Sequence, residues 1–488
     1  AVDNRTGLSA RSNPIEVLAK DTPLGRYWAD FHGQTEETVG TNSIEQYFAF
    51  ARNYGLLDIV AHQGNDFQVT DEFWAKVNRV TDAFHEPGRL VTFPGYEWSG
   101  NTPLGGDRNV YFVSEGGQIT RSCTDLLPGN HSAYADSTTA TDLFRNLKVL
   151  EDPGSFAFAH VGGRYADLSM HDPEIELAVE VHSAWGTFEW LLEDALRRGY
   201  RIGICANSDG HKCRPGASYP GAGAFGSLGG LTCVLAPKLD RKSIVEALKL
   251  RHFYATTGNR SLMNVTLVTA DGRQAMMGDV VEAGAGTPHL HVRVVGTAPI
   301  ETVQVRNGLE VVKTLRPYSE AELGGRIKIA WRGAAVRGRD RLVSWDGGLR
   351  LRGNAILDAV PVNFWNANQP LERMGANQLA WRSSTTGGVS GVILTLDEPR
   401  EGLLEVVTHQ RHVKCQVGSL GLDPMVWDCG GLHMKLDAYR LPDQQPTCEF
   451  SFRLPLTELR QGDNAIYVRM TQEDGHMAWT SPVYLRGG

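Results

Sequence analysis

Two kinds of hydrophobic patterning divide this chain. From about residue 26 to 260, short apolar runs at 57–61, 90–93, 109–113, 155–159, 177–181, 202–206 and 231–235 read as strands. Stretches with the 3.6-residue period of an amphipathic helix lie between them, at 43–54, 70–84, 141–149, 187–198 and 240–251. In the fourth of these, Thr187 is the expected N-cap and Gly199 the residue just past the helix end. In the fifth, Asp240 caps a helix with Ile244, Ala247 and Leu248 on one stripe. Alternating strands and helices predict an α/β fold of parallel strands with helices outside, either an open sheet or a barrel. In both, the reactive pocket lies at the carboxyl ends of the strands.

Near residue 261 the period changes to two. Runs such as Val265-Thr266-Leu267-Val268, 289–294 and 465–469 are separated by turns rich in Gly and Asp, which predicts an all-β sandwich-like region over 261–488 appended to the catalytic body. Residues 1–25 are polar and punctuated by Pro14 and Pro23, and read as an N-terminal arm. No internal repeat or low-complexity tract is visible.

Composition narrows the function classes. The 488 residues are 41% hydrophobic and 21% charged, with a formal net charge of -8. That balance supplies large cores and argues against nucleic acid as a partner, since such binding rests on clustered Lys and Arg. No apolar stretch approaches the ~18 residues of a membrane helix, and Ala1 to Arg5 lack the basic-then-apolar pattern of a secretion signal. The cysteines at 123, 205, 213, 233, 415, 429 and 448 are odd in number and scattered. They make a poor disulfide framework, so reduced thiols and a cytoplasmic setting are expected.

The candidate chemistry sits where apolar runs end. Asp209-Gly210-His211 follows the run 202–206, and Asp30-Phe31-His32, Glu97 and His160 occupy similar positions. Histidine and carboxylate donors suit zinc, manganese or iron. The candidate ligands are His32, His62, Glu97, His160, His182, Asp209 and His211, with Asp30 and Asp66 in reserve. Taken singly, His62 and His182 read as structural histidines. The joint placement of the others points to one metal-centred pocket. Glu97 lies between Tyr96 and Trp98, where an unpaired charge would be costly. Arg108, Arg164 and Lys212 are candidates for binding an anionic substrate. Trp98, Trp185 and Trp190 are candidates for an aromatic wall, although Trp190 falls on a helix and suits the core. Gly162 and Gly163 permit close backbone approach to a ligand, and a tight turn explains them equally well. The loop 210–230, rich in glycine with two prolines, reads as a lid.

At this point the chain resembles the PHP (polymerase and histidinol phosphatase) superfamily, through Asp30-Phe31-His32-Gly33-Gln34-Thr35, Pro94-Gly95-Tyr96-Glu97-Trp98, Phe158-Ala159-His160 and Ser208-Asp209-Gly210-His211. The likeness is to longer bacterial members with a β-rich C-terminal region. It implies a distorted barrel of seven strands and helices with metal ions at the carboxyl rim. His32 matches the first histidine of the family's His-x-His motif, Glu97 its bridging glutamate, and His160 its later lone histidine. Asp209 and His211 match the final Asp-x-His motif. Two departures stand out. Gln34 replaces the second histidine of the first motif, and Gly64-Asn65, flanked by His62 and Asp66, replaces an Asp-His pair. One or two divalent ions are therefore expected rather than three, with His62 or Asp66 restoring a ligand.

The leading expectation is a hydrolase using metal-activated water on a small-molecule phosphoester, with Asp209, His211 and Arg164 as catalytic groups. A second reading keeps the metal and takes a lactone, amide or sugar-derived substrate, by hydrolysis or elimination. A third is a non-catalytic metal-binding scaffold whose β-region recognises a carbohydrate or a partner. No membrane partner is expected, and the sequence leaves homo-oligomerisation open.

Overall fold

The computed structural model describes residues 2–8, 12–17, 19, 22–127, 135–149, 154–217, 226–339 and 341–487. The first half holds eleven strands: β1 (Gly25–Asp30), β2 (Ile59–Ala61), β3 (Val91–Phe93), β4 (Gly95–Ser99), β5 (Asp107–Tyr111), β6 (Phe156–Ala159), β7 (Glu176–Ser183), β8 (Gly186–Thr187), β9 (Gly203–Ala206), β10 (Leu231–Ala236) and β11 (Phe253–Thr256). Each predicted strand is present. The helices are α1 (Ile44–Phe50), α2 (Asp71–Phe84), α3 (Ala140–Val149), α4 (Glu189–Arg197) and α5 (Arg241–Lys249). The pattern over 43–54 splits, because α1 passes into a π-helical turn at Ala51–Gly55.

Helix starts show which local signals held. Asp240 accepts the Ser243 amide and caps α5, an interaction worth about 1 kcal/mol. Thr187 does not cap α4. Its backbone is committed to β8 and its hydroxyl to the His182 ring, so Phe188 takes the cap position without a side-chain bond. Gly199 does end that helix, with φ of 77°, in the left-handed region that favours glycine.

The strands form two sheets with mixed directions. In the first, β1, β2 and β3 run parallel, while β10 pairs antiparallel with β1 and with β11. In the second, β4, β5 and β6 are antiparallel, and β7 is parallel to β6 and β9. The resemblance implied a distorted barrel of seven strands and helices; the strand pairing of the described residues gives two sheets of mixed direction and does not show such a barrel. The edge of β11 is taken by Met477–Thr480 from the far end of the chain. Isolated bridges, Gly33 to Gly210 and Asn65 to Glu97, tie the two sheets together at the strand ends.

Between the sheets lies an aromatic plug of Phe31, Phe93, Tyr111, Phe156, Phe158 and Phe253. Tyr111 stacks on Phe156 with ring centroids 4.8 Å apart, and its hydroxyl donates to the Phe31 carbonyl at 3.0 Å. Phe31 precedes His32 and Phe158 lies two residues before His160, so the plug fixes the backbone from which both histidines project.

After α5 no α-helix occurs among the described residues. The strand Leu262–Val268 and its partners face Ile300–Asn307 and Gly462–Gln472 through one core. Leu323–Arg332 and its neighbours face Gly347–Arg352 and its neighbours through another, where Trp331 stacks on Trp381 at 4.7 Å. The first of these layers continues hydrogen-bond by hydrogen-bond into β11. No described helix is long and apolar enough to cross a membrane. None of the seven cysteines is in a disulfide, and five are buried.

Candidate metal centre

Four side chains from four strand ends meet over the aromatic plug. His32 follows β1, His160 follows β6, Asp209 follows β9, and Glu97 lies in β4. Strand alternation explains Glu97: Tyr96 and Trp98 enter the core on one face, which turns the carboxylate to the other. Asp209 has φ of 44°, a left-handed conformation that Asp tolerates better than most residues. His32 Nε2 lies 3.3 Å from Asp209 Oδ1 and 3.6 Å from Glu97 Oε2, and His160 Nε2 lies 3.7 Å from Glu97 Oε1. The two imidazoles meet edge to face at 4.4 Å.

His32 decides what the centre holds. Its Nδ1 faces the Glu180 carboxylate at 3.3 Å, and a carboxylate only accepts, so Nδ1 carries the hydrogen. Nε2 then faces two carboxylate oxygens, a contact that is favourable only if Nε2 also carries a proton or a cation lies between them. Burial opposes the imidazolium, but the charges of Asp209 and Glu180 outweigh it and hold the His32 pKa well above its ordinary value. Burial likewise opposes ionisation of Glu97, and the His160 and His32 imidazoles beside it overcome that and hold its pKa far below the usual carboxylate range.

The fit to a divalent ion rests on several observations. His32 Nε2, both nitrogens of His160 and Asp107 Oδ1 are buried with no hydrogen-bond partner. Donor atoms of His32, His160 and Asp209 lie within 4.8 Å of one another, as do those of Glu97, Asp107 and His160. Bonds of about 2.0–2.1 Å at tetrahedral angles place ligand atoms roughly 3.3–3.4 Å apart, close to the separations here. Even with both imidazoles protonated, Glu97, Glu180 and Asp209 leave a surplus of one negative charge, before Asp107, whose carboxyl is pushed up to about 7, is counted. Such a surplus is expensive to bury without a counter-cation. A Cβ on Gly162 would lie 3.2 Å from Asp209 Oδ2 and 3.3 Å from His160 Nε2, so the backbone there leaves open the space a side chain would fill. Gly163 has no such neighbour.

Other predicted residues fall in varied places. His211 stands at the mouth, with Nε2 3.5 Å from Asp209 Oδ1 and its ring 6.3 Å from that of Trp185. Arg164 is 28% exposed, its NH1 3.9 Å from Asp107 Oδ1, and its guanidinium lies over Phe67. Lys212 is exposed. Arg108 belongs elsewhere: it is fully buried, pairs with Glu176 at 3.3 Å and donates to the Gly105, Asp167 and Met170 carbonyls. It braces the loops around β5 and has no donor face turned to a substrate. Trp98 is also wholly buried, its indole donating to the Ser137 carbonyl, so it is core rather than a substrate wall. Trp190 is core as well.

His62 stays outside both ligand groups. Its Nε2 meets the Thr35 hydroxyl at 3.0 Å, its ring packs on Tyr47 and Phe73, and burial pushes its pKa down to about 4. His182 spends both nitrogens, on the Thr187 hydroxyl and the Leu228 carbonyl. Asp30 accepts the amides of His32, Ser208 and Gly216, stitching β1 to the loop after β9. Asp66 is held by Ser122. Gln34 donates to Glu97 Oε2 and to Asn65 at 3.1 Å, so it orients the glutamate from the position where the resemblance expected a histidine. Of the lid loop, residues 218–225 lie outside the described residues.

Sequence reasoning missed Glu180 and Asp107. Burial, then the charge of Glu97, pushes Asp107 up to about 7. Glu180 accepts the Asn207 amide at 2.7 Å, and Asn207 accepts the Phe31 amide at 2.9 Å. For Glu180 the available signal was an acid inside the apolar run 177–181; Asp107, at the polar start of β5, carried none.

A family described only as a protein of unknown function (DUF3604) matches residues 7–163, a span that includes His32, Glu97 and His160. An uncharacterised protein of Chlamydia pneumoniae is 26% identical over 343 residues, 63% of this chain and 51% of that protein. One from Chlamydia trachomatis is 23% identical over 351 residues, with the same shares. The chain thus spans about half the length of the curated relatives it matches. A two-domain protein from Bacteroides vulgatus, titled as containing a predicted PHP-like metal-dependent phosphoesterase, superposes over 84% of this chain and 99% of its own, with 13% identity and a TM-score of 0.33. That score is too low for the likeness to carry fold or function.

Proposed function

We propose that this protein is a metal-dependent hydrolase of a small-molecule phosphoester. The observation that carries the reading is His32, whose Nε2 lies 3.3 Å from Asp209 and 3.6 Å from Glu97, both buried carboxylates, without a hydrogen bond to either. His32, Glu97, His160 and Asp209 would hold one divalent ion of zinc, manganese or iron, and Asp107 with His160 and Glu97 supplies donors for a second. An ion held there supplies Lewis acidity and lowers the pKa of a water it binds to about 7.

The protein's own groups do the rest. Glu180 fixes the His32 tautomer, as carboxylates behind metal-binding histidines do. Gln34 and Ser99 hold the two oxygens of Glu97. Arg164 stands on the open side beside Asp107, where a guanidinium can meet phosphoryl oxygens bidentately. His211, at the mouth, is placed to protonate a leaving oxygen. The motif likeness and Arg164 support the phosphoester. The burial of Arg108 removes one expected anion partner, and this favours the second reading, a lactone or amide, more than the sequence did.

Protein purified without chelator should contain about one or two divalent ions per chain by elemental analysis. Glu97→Ala and His160→Ala should lose metal and phosphoesterase activity together. Lactones and amides assayed beside phosphoesters separate the two substrate classes. Full activity of both variants without metal would refute the proposal.

A further inference from the structure

In the second half of the chain, two sheets meet through their polar faces. Ile300–Asn307 and Gly462–Gln472 send Val303, Val305, Val468 and Met470 into one core, which turns Thr302, Gln304, Arg469 and Thr471 the opposite way. Leu323–Arg332 and Lys435–Pro442 send Ile327, Ile329, Trp331 and Leu436 into a separate core, which turns Lys328, Arg332, Lys435 and Tyr439 outward. Sheets ordinarily pack through their apolar faces. Here the outward faces enclose a cavity of about 690 Å³, within the roughly 300–1,000 Å³ typical of small-molecule sites.

The floor is a built polar network. A register shift between Ile300 and Thr302 brings Glu301 to the same side as Thr302. Glu301 is buried and takes the Lys328 ammonium at 2.6 Å and the Tyr439 hydroxyl at 2.6 Å. Exposed Asp423, His433 and Lys435 mark the mouth.

Three features describe an occupant. Arg316 and Lys435 line the space, and among the described residues neither is within ion-pair distance of a carboxylate, although Arg316 lies over the Tyr439 ring. Nε of Arg332 and Oε1 of Gln304 are buried without hydrogen-bond partners, while Arg469 Nε faces Glu189 Oε1 at 3.4 Å. Glu189 and Asp423 also line it. They would repel a bare anion, yet accept bonds from hydroxyl groups. Unpaired cations together with carboxylate acceptors and threonine hydroxyls fit a ligand that carries both carboxylate and hydroxyls.

We propose that this cavity is a second binding site, for an acidic oligosaccharide whose carboxylates meet Arg316 and Lys435 and whose hydroxyls meet Glu189, Asp423 and the threonines. Calorimetric titration of the full chain with trigalacturonate, maltotriose and inorganic phosphate tests it. Trigalacturonate should bind at least about ten-fold more tightly than maltotriose, and phosphate should not displace it at equal concentration. The Arg316→Ala/Lys435→Ala double variant should weaken trigalacturonate by about ten-fold or more with its metal content unchanged. Lys435→Glu, at the exposed mouth, should weaken it similarly without touching buried structure. Equal binding of trigalacturonate and maltotriose, displacement by equimolar phosphate, or undiminished binding by folded Lys435→Glu would overturn the proposal.

Discussion

Glu180→Gln isolates the role of the carboxylate behind His32. Glu180 lies 3.3 Å from His32 Nδ1 and accepts the Asn207 amide at 2.7 Å. Glutamine keeps the shape but offers a single acceptor oxygen to two donors, and it removes the charge that makes His32 a stronger ligand. Loss of such a partner costs about 10–100-fold in metal affinity, or roughly 1.4–2.7 kcal/mol. Alanine would do something different: it would strand the His32 N–H and the Asn207 amide in a dry interior, at about 1–3 kcal/mol of stability for each unsatisfied group. Zinc affinity measured by competition with a chelating dye, alongside urea unfolding of metal-free protein, separates the two effects. Glu176→Gln serves as control, since Glu176 is equally buried but pairs with Arg108. If Glu180→Gln binds zinc as tightly as the parent while Glu176→Gln does not, the assignment of Glu180 as the orienting group is wrong.

Other outcomes follow from the same geometry. Gly162→Ala puts a methyl 3.2 Å from Asp209 Oδ2, so it should lower metal affinity while leaving the unfolding midpoint of metal-free protein nearly unchanged. Arg108→Ala leaves the buried Glu176 with only the His171 ring, at 3.5 Å, as a charge partner, which should cost about 3–5 kcal/mol in urea unfolding with no change in metal content of the folded fraction. Arg164→Ala should lower kcat/KM for phosphoesters by about ten-fold or more and hardly affect uncharged esters, as read in parallel assays. Burial pushes the His182 imidazolium down to about 3, so the folded state resists a proton that the unfolded chain binds near pH 6.5. Its contribution is therefore complete above pH 6.5 and is lost as the pH falls towards 3, by roughly 1.4 kcal/mol per unit. At pH 5 the loss is about 2 kcal/mol, and His182→Gln should flatten that part of the pH–stability curve.

Seven of the eleven strands and the five helices of the first half were legible in the sequence because burial imposes its period on them, whereas β1, β4, β8 and β11 were not. Asp240 and Gly199 acted as local signals should, since a cap or a left-handed turn involves only neighbours in sequence. Thr187 failed as a cap because its hydroxyl had a partner elsewhere, in His182. The convergence of His32, Glu97, His160 and Asp209 was also readable, since each ends or interrupts an apolar run. The fate of Arg108, Trp98 and His62 was not. A cation, an indole or an imidazole near a strand end reads alike whether its partner is a ligand or a carbonyl 60 residues away. Glu180 was hidden for the same reason, as it is a ligand to a ligand.

By itself, then, the sequence determined which residues are strand, which face inward, and which donors stand at the strand ends, because those properties are set by spacing along the chain. Tertiary structure alone decided that Met477–Thr480 pairs with β11. It also decided that Arg108 is walled in, and that two polar sheet faces confront each other across a cavity. Each depends on contacts between segments far apart in sequence, whose pairing is settled by competition for the same edges and hydrogen-bond acceptors. Periodicity carries no record of that competition.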